Sequence, residues 1–358
     1  MQENDEKPLY HKGRGAQINT SNKFLKNTYV TEHDEMLDEP MISDEKTQVF
    51  YEHPKKIVNI VNSPDLKAMY SMNPYQGCEH GCIYCYARNT HEYWGYSAGL
   101  DFERKIIAKP NAPQVLEKQL MNKNWQVSPI MFSGNTDCYQ PLERKLKITR
   151  QMLEVLLKFR HPAGMITKNS LILRDTDILQ EMAKLKIVHV MVSITSLREE
   201  LRLKMEPRTA TARNRLKVIE QLSKAGIPTG VMTAPIIPGL NSDEIPELIK
   251  AAADHGADCA GYTIVRLNGS IGAIFKDWLH KNYPDRAEKV LNHIENAHGG
   301  TLNDSRYGTR MRGEGNISAS IRQLFQMSVK KYLAGRDRFD YDLTAFRRPG
   351  EVQQLELF

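Results

Sequence analysis

Three of the five cysteines of this 358-residue chain lie within eight residues, on the segment between Gly77 and Tyr86. Cys78, Cys82 and Cys85 form a Cys-x3-Cys-x2-Cys array. Three thiolates from one short loop can bind three irons of a [4Fe–4S] cluster and leave the fourth iron without a protein ligand. Because an iron with an open coordination position can bind another molecule, the array indicates chemistry rather than a structural role alone.

Two other uses of these cysteines are compatible with the residues alone. A structural zinc site would need one more ligand, and His80 and His91 are near in sequence. A thioredoxin-like redox motif would use Cys82 and Cys85 and would leave Cys78 without a role. Structural zinc sites usually include a second, distant pair of cysteines, which this sequence lacks. We therefore favour the iron–sulfur cluster.

The composition is that of a soluble protein, with 41% hydrophobic and 26% charged residues. No run approaches the ~20 apolar residues that a membrane-spanning helix needs. Residues 1–6 are acidic and lack the basic and apolar regions of a signal peptide. Clustered cysteines without a secretory signal favour metal or redox chemistry over disulfides. We therefore predict a cytoplasmic protein without a membrane partner.

From about residue 68, apolar strand-like runs alternate with helical patterns, which is typical of a parallel α/β sheet. Six strands are predicted, at 68–75, 128–133, 163–168, 187–194, 228–234 and 259–267. Helices are predicted near 113–124, 146–160, 175–185, 211–225, 243–255 and 271–281. Right-handed crossovers between such strands leave an open doubly wound sheet or a barrel-like (β/α)6.

In either architecture ligands bind at the carboxyl ends of the strands. Polar side chains are concentrated at these ends, with the cysteine loop after the first strand and, after the others, Asn135, Asp137, Lys168, Ser193 and Arg266. Loops are often polar for no functional reason, but that explanation does not account for the cysteines. We expect these side chains to surround one site.

The chain outside the βα repeat divides into extensions around a core domain at 63–285. Residues 1–62 are predicted to be largely extended, residues 286–350 to be helical and basic, and residues 351–358 to form a tail. Residues 301–350 carry ten Lys and Arg against five Asp and Glu, whereas residues 1–50 carry six against ten. The basic part is therefore a candidate surface for an anionic partner, or simply a solvated face.

The cysteine array resembles the signature of the radical S-adenosylmethionine superfamily, in which an aromatic residue, here Tyr84, precedes the third cysteine. The resemblance implies a partial (β/α)6 TIM-like barrel and a [4Fe–4S] cluster held by the three cysteines, whose unique iron binds S-adenosylmethionine. Reductive cleavage of that cofactor gives a 5′-deoxyadenosyl radical, which abstracts hydrogen from a substrate. A reductant such as flavodoxin or ferredoxin is implied as a partner.

More closely, the chain is similar to the branch that contains spore photoproduct lyase and DNA repair photolyase-like proteins. The matching segments are 13–16, 73–78, 85–88, 167–168, 192–194, 206–207, 234–236 and 303–313. By this resemblance Lys168 and Ser193 contact S-adenosylmethionine, and Tyr84 and Asn135 are further candidates. A lysine can bond the cofactor carboxylate, and a serine hydroxyl can bond a ribose or carboxylate oxygen.

The chain departs from this branch after the second strand. Spore photoproduct lyases use a cysteine there to return a hydrogen atom to the substrate radical, but matching the loops puts Asn135 near that position and displaces Cys138 by about three residues. Cys138 is therefore a candidate hydrogen donor in a rearranged loop, or otherwise a small buried residue. Cys259 opens an apolar strand and is predicted to belong to the core.

These observations favour a lyase-like iron–sulfur enzyme of DNA repair or base modification. The loop at 303–315 carries candidate substrate-binding residues, namely Arg306, Tyr307, Arg310 and Arg312, a composition suited to phosphate contacts and base stacking. A solvated basic turn is the alternative for this loop. Radical chemistry on a protein or small metabolite, and a non-catalytic metal-bearing scaffold that binds nucleic acid, remain alternatives for the whole chain.

The segment Gln354-Leu-Glu-Leu-Phe358 is similar to the Gln-Leu-(Ser/Asp)-Leu-Phe motif that docks bacterial polymerases and repair proteins on the DNA sliding clamp. Leu355, Leu357 and Phe358 would supply the apolar contacts, while Gln354 would fix the register by hydrogen bonds. Glu356 departs from the usual Ser or Asp. The alternative is that these apolar residues pack against the folded domain.

The cluster assignment predicts opposite outcomes for two cysteines. Cys82→Ala should abolish the brown cluster and all cleavage of S-adenosylmethionine, because two thiolates cannot hold the cube with one iron open. Cys259→Ala is the matched control and should leave cleavage intact. The measurement is 5′-deoxyadenosine formation by the reduced, reconstituted proteins, and cleavage retained by purified Cys82→Ala would end this assignment.

Overall fold

The computed structural model describes residues 11–24, 46–65 and 70–350. The strands of these residues are β1 Gln48–Tyr51, β2 Val58–Ile60, β3 Tyr70–Met72, β4 Tyr75–Gln76, β5 Lys105–Ala108, β6 Ile130–Phe132, β7 Ala163–Thr167, β8 Val188–Ser193, β9 Thr229–Ile236 and β10 Ala260–Ile264.

The α-helices of the same residues are α1 Leu100–Arg104, α2 Ala112–Leu120, α3 Glu143–Leu146, α4 Ile148–Lys158, α5 Thr176–Lys184, α6 Glu199–Met205, α7 Ala212–Lys224, α8 Ile245–Asp254, α9 Ile271–Asn282, α10 Ala287–Ala297 and α11 Gly315–Tyr332. A 3₁₀ helix, Tyr86–Trp94, follows the cysteine loop directly. None of the described helices is both long and apolar enough to cross a bilayer.

Seven strands form the main sheet, in the order β10-β9-β8-β7-β6-β3-β2. The parallel strands of this sheet are β3, β6, β7, β8, β9 and β10, and β2 pairs antiparallel with β3 at one edge. Because the two outer strands do not pair with each other within the described residues, the sheet stays open. The predicted partial (β/α)6 barrel is confirmed, and the six predicted parallel strands form its sheet.

The helices follow the strands as the periodicity predicts. Thr211 begins α7 by accepting a hydrogen bond from the N–H of Asn214 at 3.2 Å. Gly226 stops that helix with a φ of +74°, a conformation that costs glycine little. The apolar faces of α2, α4, α5, α7 and α8 pack with the strands in one continuous hydrophobic core.

Short elements near the cysteine loop were not predicted. A second sheet joins β1, β5 and β4, and α1 and α6 also lie outside the predicted set. The strand predicted at 68–75 is in fact two, β3 and β4, separated by Asn73 and Pro74, and residues 66–69 lie outside the described structure. Proline removes a backbone donor, so the ladder changes sheets at this point.

A segment that we call the strap, residues 336–348, crosses the amino ends of the strands, opposite the cysteine loop. The Arg336 guanidinium donates to the carbonyl of Ala257 at 2.5 Å, just before β10. The N–H of Asp342 donates to the carbonyl of Lys186, before β8. The N–H of Arg347 donates to the carbonyl of Phe159, between α4 and β7, at 3.0 Å. The strap therefore contacts the chain before β7, β8 and β10.

Candidate active site

The three cysteines of the array meet at one cavity of about 120 Å³ at the carboxyl ends of β6 and β7. The lining residues are Cys78, His80, Cys82, Cys85, Tyr86, Ser133, Asn135, Thr136, Asp137, Ile166, Thr167 and Lys168. All three cysteines are free thiols. The spacing in sequence therefore corresponds to convergence in space.

Backbone hydrogen bonds fix both ends of the cysteine loop. The N–H of Cys78 donates to the carbonyl of Phe102 at 2.9 Å, and the N–H of Ile83 donates to the carbonyl of Met205, at the end of α6, at 3.0 Å. Gly77 turns the chain into the loop with a φ of +77°, and a Cβ there would lie 2.8 Å from the carbonyl oxygen of Lys105. Only glycine fits this close approach.

A fully buried ion pair lies beneath the loop. Nη2 of Arg88 lies 2.5 Å from Oε1 of Glu103, and both side chains are inaccessible to solvent. The remaining donors of Arg88 bond the carbonyls of Cys82 at 3.0 Å, Ala98 at 3.2 Å and Gly99 at 3.0 Å. Because each guanidinium nitrogen has an acceptor, the pair ties the cysteine loop to the chain that leads into α1.

The amino-terminal segment packs on the same pair. The N–H groups of Gly15 and Ala16 donate to the two carboxylate oxygens of Glu103, at 3.1 and 2.8 Å. A Cβ on Gly15 would lie 1.7 Å from the carbonyl oxygen of Gly81, inside the cysteine loop. The segment 13–16, one of those that match the photolyase-like branch, therefore covers the loop from outside at backbone-to-backbone distance.

A second buried ion pair lies on the opposite flank. Nη2 of Arg215 lies 2.5 Å from Oε2 of Glu206. The other oxygen, Oε1, accepts the hydroxyls of Thr195 at 2.6 Å and of Tyr84. Burial alone would raise the pKa of Glu206, but Arg215 and Lys168 outweigh it and lower that pKa to about 2. The carboxylate is therefore charged and holds the Tyr84 ring behind the loop.

A third carboxylate, whose side chain is 10% exposed, links the cysteine loop to strand ends. Oδ1 of Asp137 accepts the Thr167 hydroxyl at 2.8 Å, while Oδ2 accepts the N–H of Lys168 at 2.8 Å and lies 3.3 Å from Nδ1 of His80. Burial would raise the pKa of Asp137, but His80 and the backbone donors lower it to about 2. This carboxylate aligns the ends of β6 and β7 around the cavity.

Two of the four predicted cofactor contacts line the cavity. Asn135 is held there by its Nδ2 donating to Gln76 at 2.7 Å. Burial disfavours the charge of Lys168, but Cys82, Glu206 and Asp137 outweigh it and raise its pKa. A protonated Lys168 therefore faces the cysteines.

The other two predicted contacts lie behind the cavity wall. Tyr84 is buried against Glu206, and Ser193 is buried with its hydroxyl 3.4 Å from the carbonyl of Met232. Neither side chain lines the cavity. Their predicted contacts with S-adenosylmethionine stay predictions.

Cys138 lies in the main hydrophobic core, with none of its surface exposed. The N–H of Cys138 donates to the Ser133 hydroxyl at 3.0 Å, and the carbonyl of Cys138 accepts the hydroxyl of Thr149 at 2.7 Å. Burial and the charge of Asp137 raise the pKa of its thiol. Because the thiol does not line the cavity, a hydrogen-donor role still requires the rearranged loop.

Within the described residues, the histidines of the zinc alternative do not group with the cysteines as metal ligands. His80 has Nδ1 near Asp137 and Nε2 3.2 Å from Nδ2 of Asn169. His91 is buried, does not line the cavity and packs edge-on against Phe102 at 5.6 Å. Neither offers a ring nitrogen to the cysteines in this conformation.

The donor set fits an iron–sulfur cluster. Burial raises the pKa of Cys78 and raises that of Cys82 to about 12, so these thiols become thiolates only when a cationic group binds them. The sulfurs of two buried cysteines and of the half-buried Cys85 face one cavity, and within the described residues no fourth cysteine lines it. This set leaves room for a ligand on the fourth iron.

The predicted substrate loop at 303–315 is internally ion-paired. Arg306 pairs with Asp304 at 3.0 Å and with Glu314 at 2.6 Å. Arg310 pairs with Asp65 at 2.5 Å and lies 4.4 Å from the centroid of the exposed Tyr307 ring. Arg312 is exposed at the end of the loop. The residues predicted to contact the sliding clamp lie outside the described structure.

Arg266, two residues after β10, lies within electrostatic range of both the loop and Tyr86. Burial and the neighbouring charge of Arg310 lower the pKa of Arg266, while Asp65 and Tyr86 oppose that effect. Tyr86 lines the cavity and is half exposed.

The profile of the radical SAM superfamily matches residues 72–252, which is half of the chain and contains all three cysteines. This chain belongs to the radical SAM superfamily. Members use a [4Fe–4S] cluster together with S-adenosylmethionine, so both cofactors follow from membership. The three cysteines at the cavity are the residues that fit the cluster.

Relatives of this radical SAM protein occur in bacteria, archaea and viruses. An uncharacterized protein of Mycobacterium tuberculosis is 32% identical over 230 residues, which is 63% of this chain and 67% of the relative. An uncharacterized protein of Methanocaldococcus jannaschii is 28% identical over 66% of this chain and 85% of its own length. These similarities extend the family assignment without adding a reaction.

Solved structures of spore photoproduct lyase share the fold. The lyase complexed with dinucleoside spore photoproduct has a TM-score of 0.60 at 15% identity and covers 80% of each chain. A double mutant with bound AdoMet and the same dinucleoside has a TM-score of 0.59 at 16% identity, over 80% of this chain and 79% of the other. At this identity the likeness concerns the architecture alone.

Several residues of the site were not predicted. The two buried ion pairs, Arg88 with Glu103 and Arg215 with Glu206, carry no spacing that distinguishes them from solvated charges. Tyr86 could have been found, because it directly follows the third cysteine.

Arg88→Met should lower the free energy of unfolding by about 3–5 kcal/mol, because it leaves the Glu103 carboxylate buried without its charged partner. The iron content after reconstitution should fall as well, since Arg88 bonds the carbonyl of Cys82. Urea unfolding under anaerobic conditions measures the first effect. Lys224→Met, which removes an exposed partner of Glu220 on α7, is the control and should change neither quantity appreciably. Equal behaviour of the two variants would contradict this role for Arg88.

Proposed function

We propose that this radical SAM enzyme acts on nucleic acid, most specifically on DNA, to repair or modify a base. The observation that carries the proposal is the exposed Tyr86 ring at the cysteine cavity, with Arg266 within electrostatic range of both this ring and the basic loop. The fold shared with spore photoproduct lyase supports it, since structures of that enzyme contain dinucleoside spore photoproduct.

When both are bound and a reductant supplies one electron, the cluster and S-adenosylmethionine would supply a 5′-deoxyadenosyl radical that abstracts hydrogen from a substrate. The residues of this chain hold and orient the partners. Cys78, Cys82 and Cys85 hold the cluster, and the protonated Lys168 offers a cation for the carboxylate of S-adenosylmethionine. Asn135, fixed by Gln76, offers an amide to the same cavity.

The charges at the mouth favour a phosphate. Arg266 and Arg310 are close enough to depress the pKa of Arg266, and Asp65 pairs directly with Arg310 only. Four arginines, at 266, 306, 310 and 312, stand against three carboxylates, Asp65, Asp304 and Glu314, which leaves an excess of one positive charge. A phosphate diester placed beside them would gain charge-assisted hydrogen bonds that water supplies less well.

Two aromatic rings are placed to stack with bases. The hydroxyl of Tyr86 donates to the carbonyl of Gly134 at 2.6 Å, which fixes a ring that is 52% exposed at the cavity. Tyr307 is 56% exposed and its ring is backed by Arg310. Stacking of a base on such a ring contributes about 1–3 kcal/mol. A strand of nucleic acid could therefore contact both rings.

Replacement of Arg310 and Arg312 by Gln should weaken binding of single-stranded DNA and reduce its dependence on salt. Each lost phosphate contact lowers the slope of log K against log salt by about 0.7. The control, Arg213→Gln with Arg322→Gln, removes the same charge from exposed positions on α7 and α11 and should leave the slope nearly unchanged. Fluorescence anisotropy at several salt concentrations measures both. Identical slopes in both double variants would contradict a binding role for the loop.

The reaction itself is tested by product analysis. The reduced enzyme is incubated with ultraviolet-damaged DNA, with undamaged DNA and with RNA, and the nucleosides are separated by mass spectrometry. We expect a changed nucleoside that depends on S-adenosylmethionine and on Cys82. A substrate-dependent product from a peptide or metabolite extract, with none from nucleic acid, would favour the rival substrates.

We further propose that Gln354 to Phe358 docks on the bacterial sliding clamp, on the basis of its sequence motif. The full chain should bind the clamp of the same organism with an affinity of about micromolar order, because a short segment loses conformational entropy when it orders on binding. A chain ending at Gly350 should not bind the clamp. The full-length double variant, Leu357→Ala with Phe358→Ala, should also fail to bind it. Surface plasmon resonance measures the affinities, and equal binding by all three chains would contradict the motif.

A further inference from the structure

A second group of metal-ligating side chains lies at the amino ends of the strands, opposite the cysteine cavity. It consists of His189 at the start of β8 and of Asp258 and Cys259 just before β10, whose ligand atoms all lie within 4.8 Å of one another. Nε2 of His189 lies 3.2 Å from Oδ2 of Asp258 and 3.8 Å from Sγ of Cys259. The radical reaction does not use these residues.

The separations match those of ligands around tetrahedral zinc. With Zn–N and Zn–O near 2.0–2.1 Å and Zn–S near 2.3 Å, tetrahedral angles place N and O about 3.4 Å apart and N and S about 3.6 Å apart. The observed 3.2 and 3.8 Å lie close to these values. An ion between the three atoms would need only a small adjustment of the side chains.

The surroundings keep space for the sulfur and orient the imidazole. A Cβ on Gly230 would lie 2.5 Å from Sγ of Cys259, so only glycine on β9 leaves room for this thiol. The ring of Phe339, in the strap, stacks on the His189 ring with centroids 5.2 Å apart and planes 19° apart. The packing therefore restricts the direction of the His189 ring.

The three side chains are half-buried, so they are neither fully exposed to solvent nor fully inaccessible to it. The side chains of His189 and Asp258 are 14% and 20% exposed, which gives an ion a route from solvent. An imidazole, a carboxylate and a thiolate together form a ligand set that zinc accepts, and one coordination position is left for water. Without an ion, His189 pairs with Asp258 and the Cys259 thiol hydrogen-bonds to the same carboxylate, so the three groups are already in contact before a metal enters.

We propose that His189, Asp258 and Cys259 bind one zinc ion at the strap end of the barrel, independently of the iron–sulfur cluster. The ion would link the start of β8 to the start of β10 across β9. Because Phe339 packs on one ligand, binding there would also stabilise the strap.

The test is metal analysis of the reconstituted holoenzyme, grown and purified with zinc in the medium. We expect about one zinc per chain beside the four irons of the cluster. Cys259→Ser and His189→Gln should each reduce the zinc at least tenfold and leave the iron unchanged. Cys138→Ala, which removes a buried thiol outside the group, is the matched control and should retain the zinc.

X-ray absorption at the zinc edge separates this site from zinc bound by the cysteine loop. We expect one sulfur near 2.3 Å and lighter atoms near 2.0–2.1 Å. Three sulfurs would place the zinc in the loop and overturn the proposal. Absence of zinc, copper in its place, or full zinc in both folded variants would overturn it as well.

Discussion

The ion pair between Arg88 and Glu103 is the contact on which the architecture of the cysteine loop depends. Removing two charges from water costs several kcal/mol per ion unless their hydrogen bonds are all replaced. Here most are replaced, because Arg88 bonds three backbone carbonyls and Glu103 accepts two backbone N–H groups from residues 15 and 16. The loop, the chain before α1 and the amino-terminal segment therefore form one packed unit.

A second charged contact holds the other flank of the loop. The charged Glu206 carboxylate forms an ion pair with Arg215 and accepts the Tyr84 hydroxyl. It also lies close enough to Lys168 to favour the protonated form of that lysine. The loop is thus bound on both sides, and its three sulfurs face the cavity together with His80. The three thiols are therefore positioned at the cavity before the metal binds. A rigid supporting shell of this kind is what a functional site requires.

The sequence predicted the six parallel strands because each is a short apolar run followed by an amphipathic helix. It did not predict β1 and β5, since β1 is mostly exposed and pairs with a strand over fifty residues away. Glu103 and Glu206 could not be distinguished from solvated acids, because their burial follows from tertiary packing. Strand-end position predicted Lys168 and Asn135 at the cavity, but the direction of the Ser193 and Cys138 side chains depends on local backbone geometry that a pattern does not encode.

The central claim is that three cysteines hold a cluster whose remaining iron is open to S-adenosylmethionine. The most direct measurement is the electron paramagnetic resonance spectrum of the reduced, reconstituted enzyme, recorded with and without S-adenosylmethionine. The claim predicts four irons per chain and a reduced-cluster signal whose g values shift when the cofactor is added. A spectrum unchanged by the cofactor, or a chain that holds zinc at the three cysteines and no iron, would contradict it.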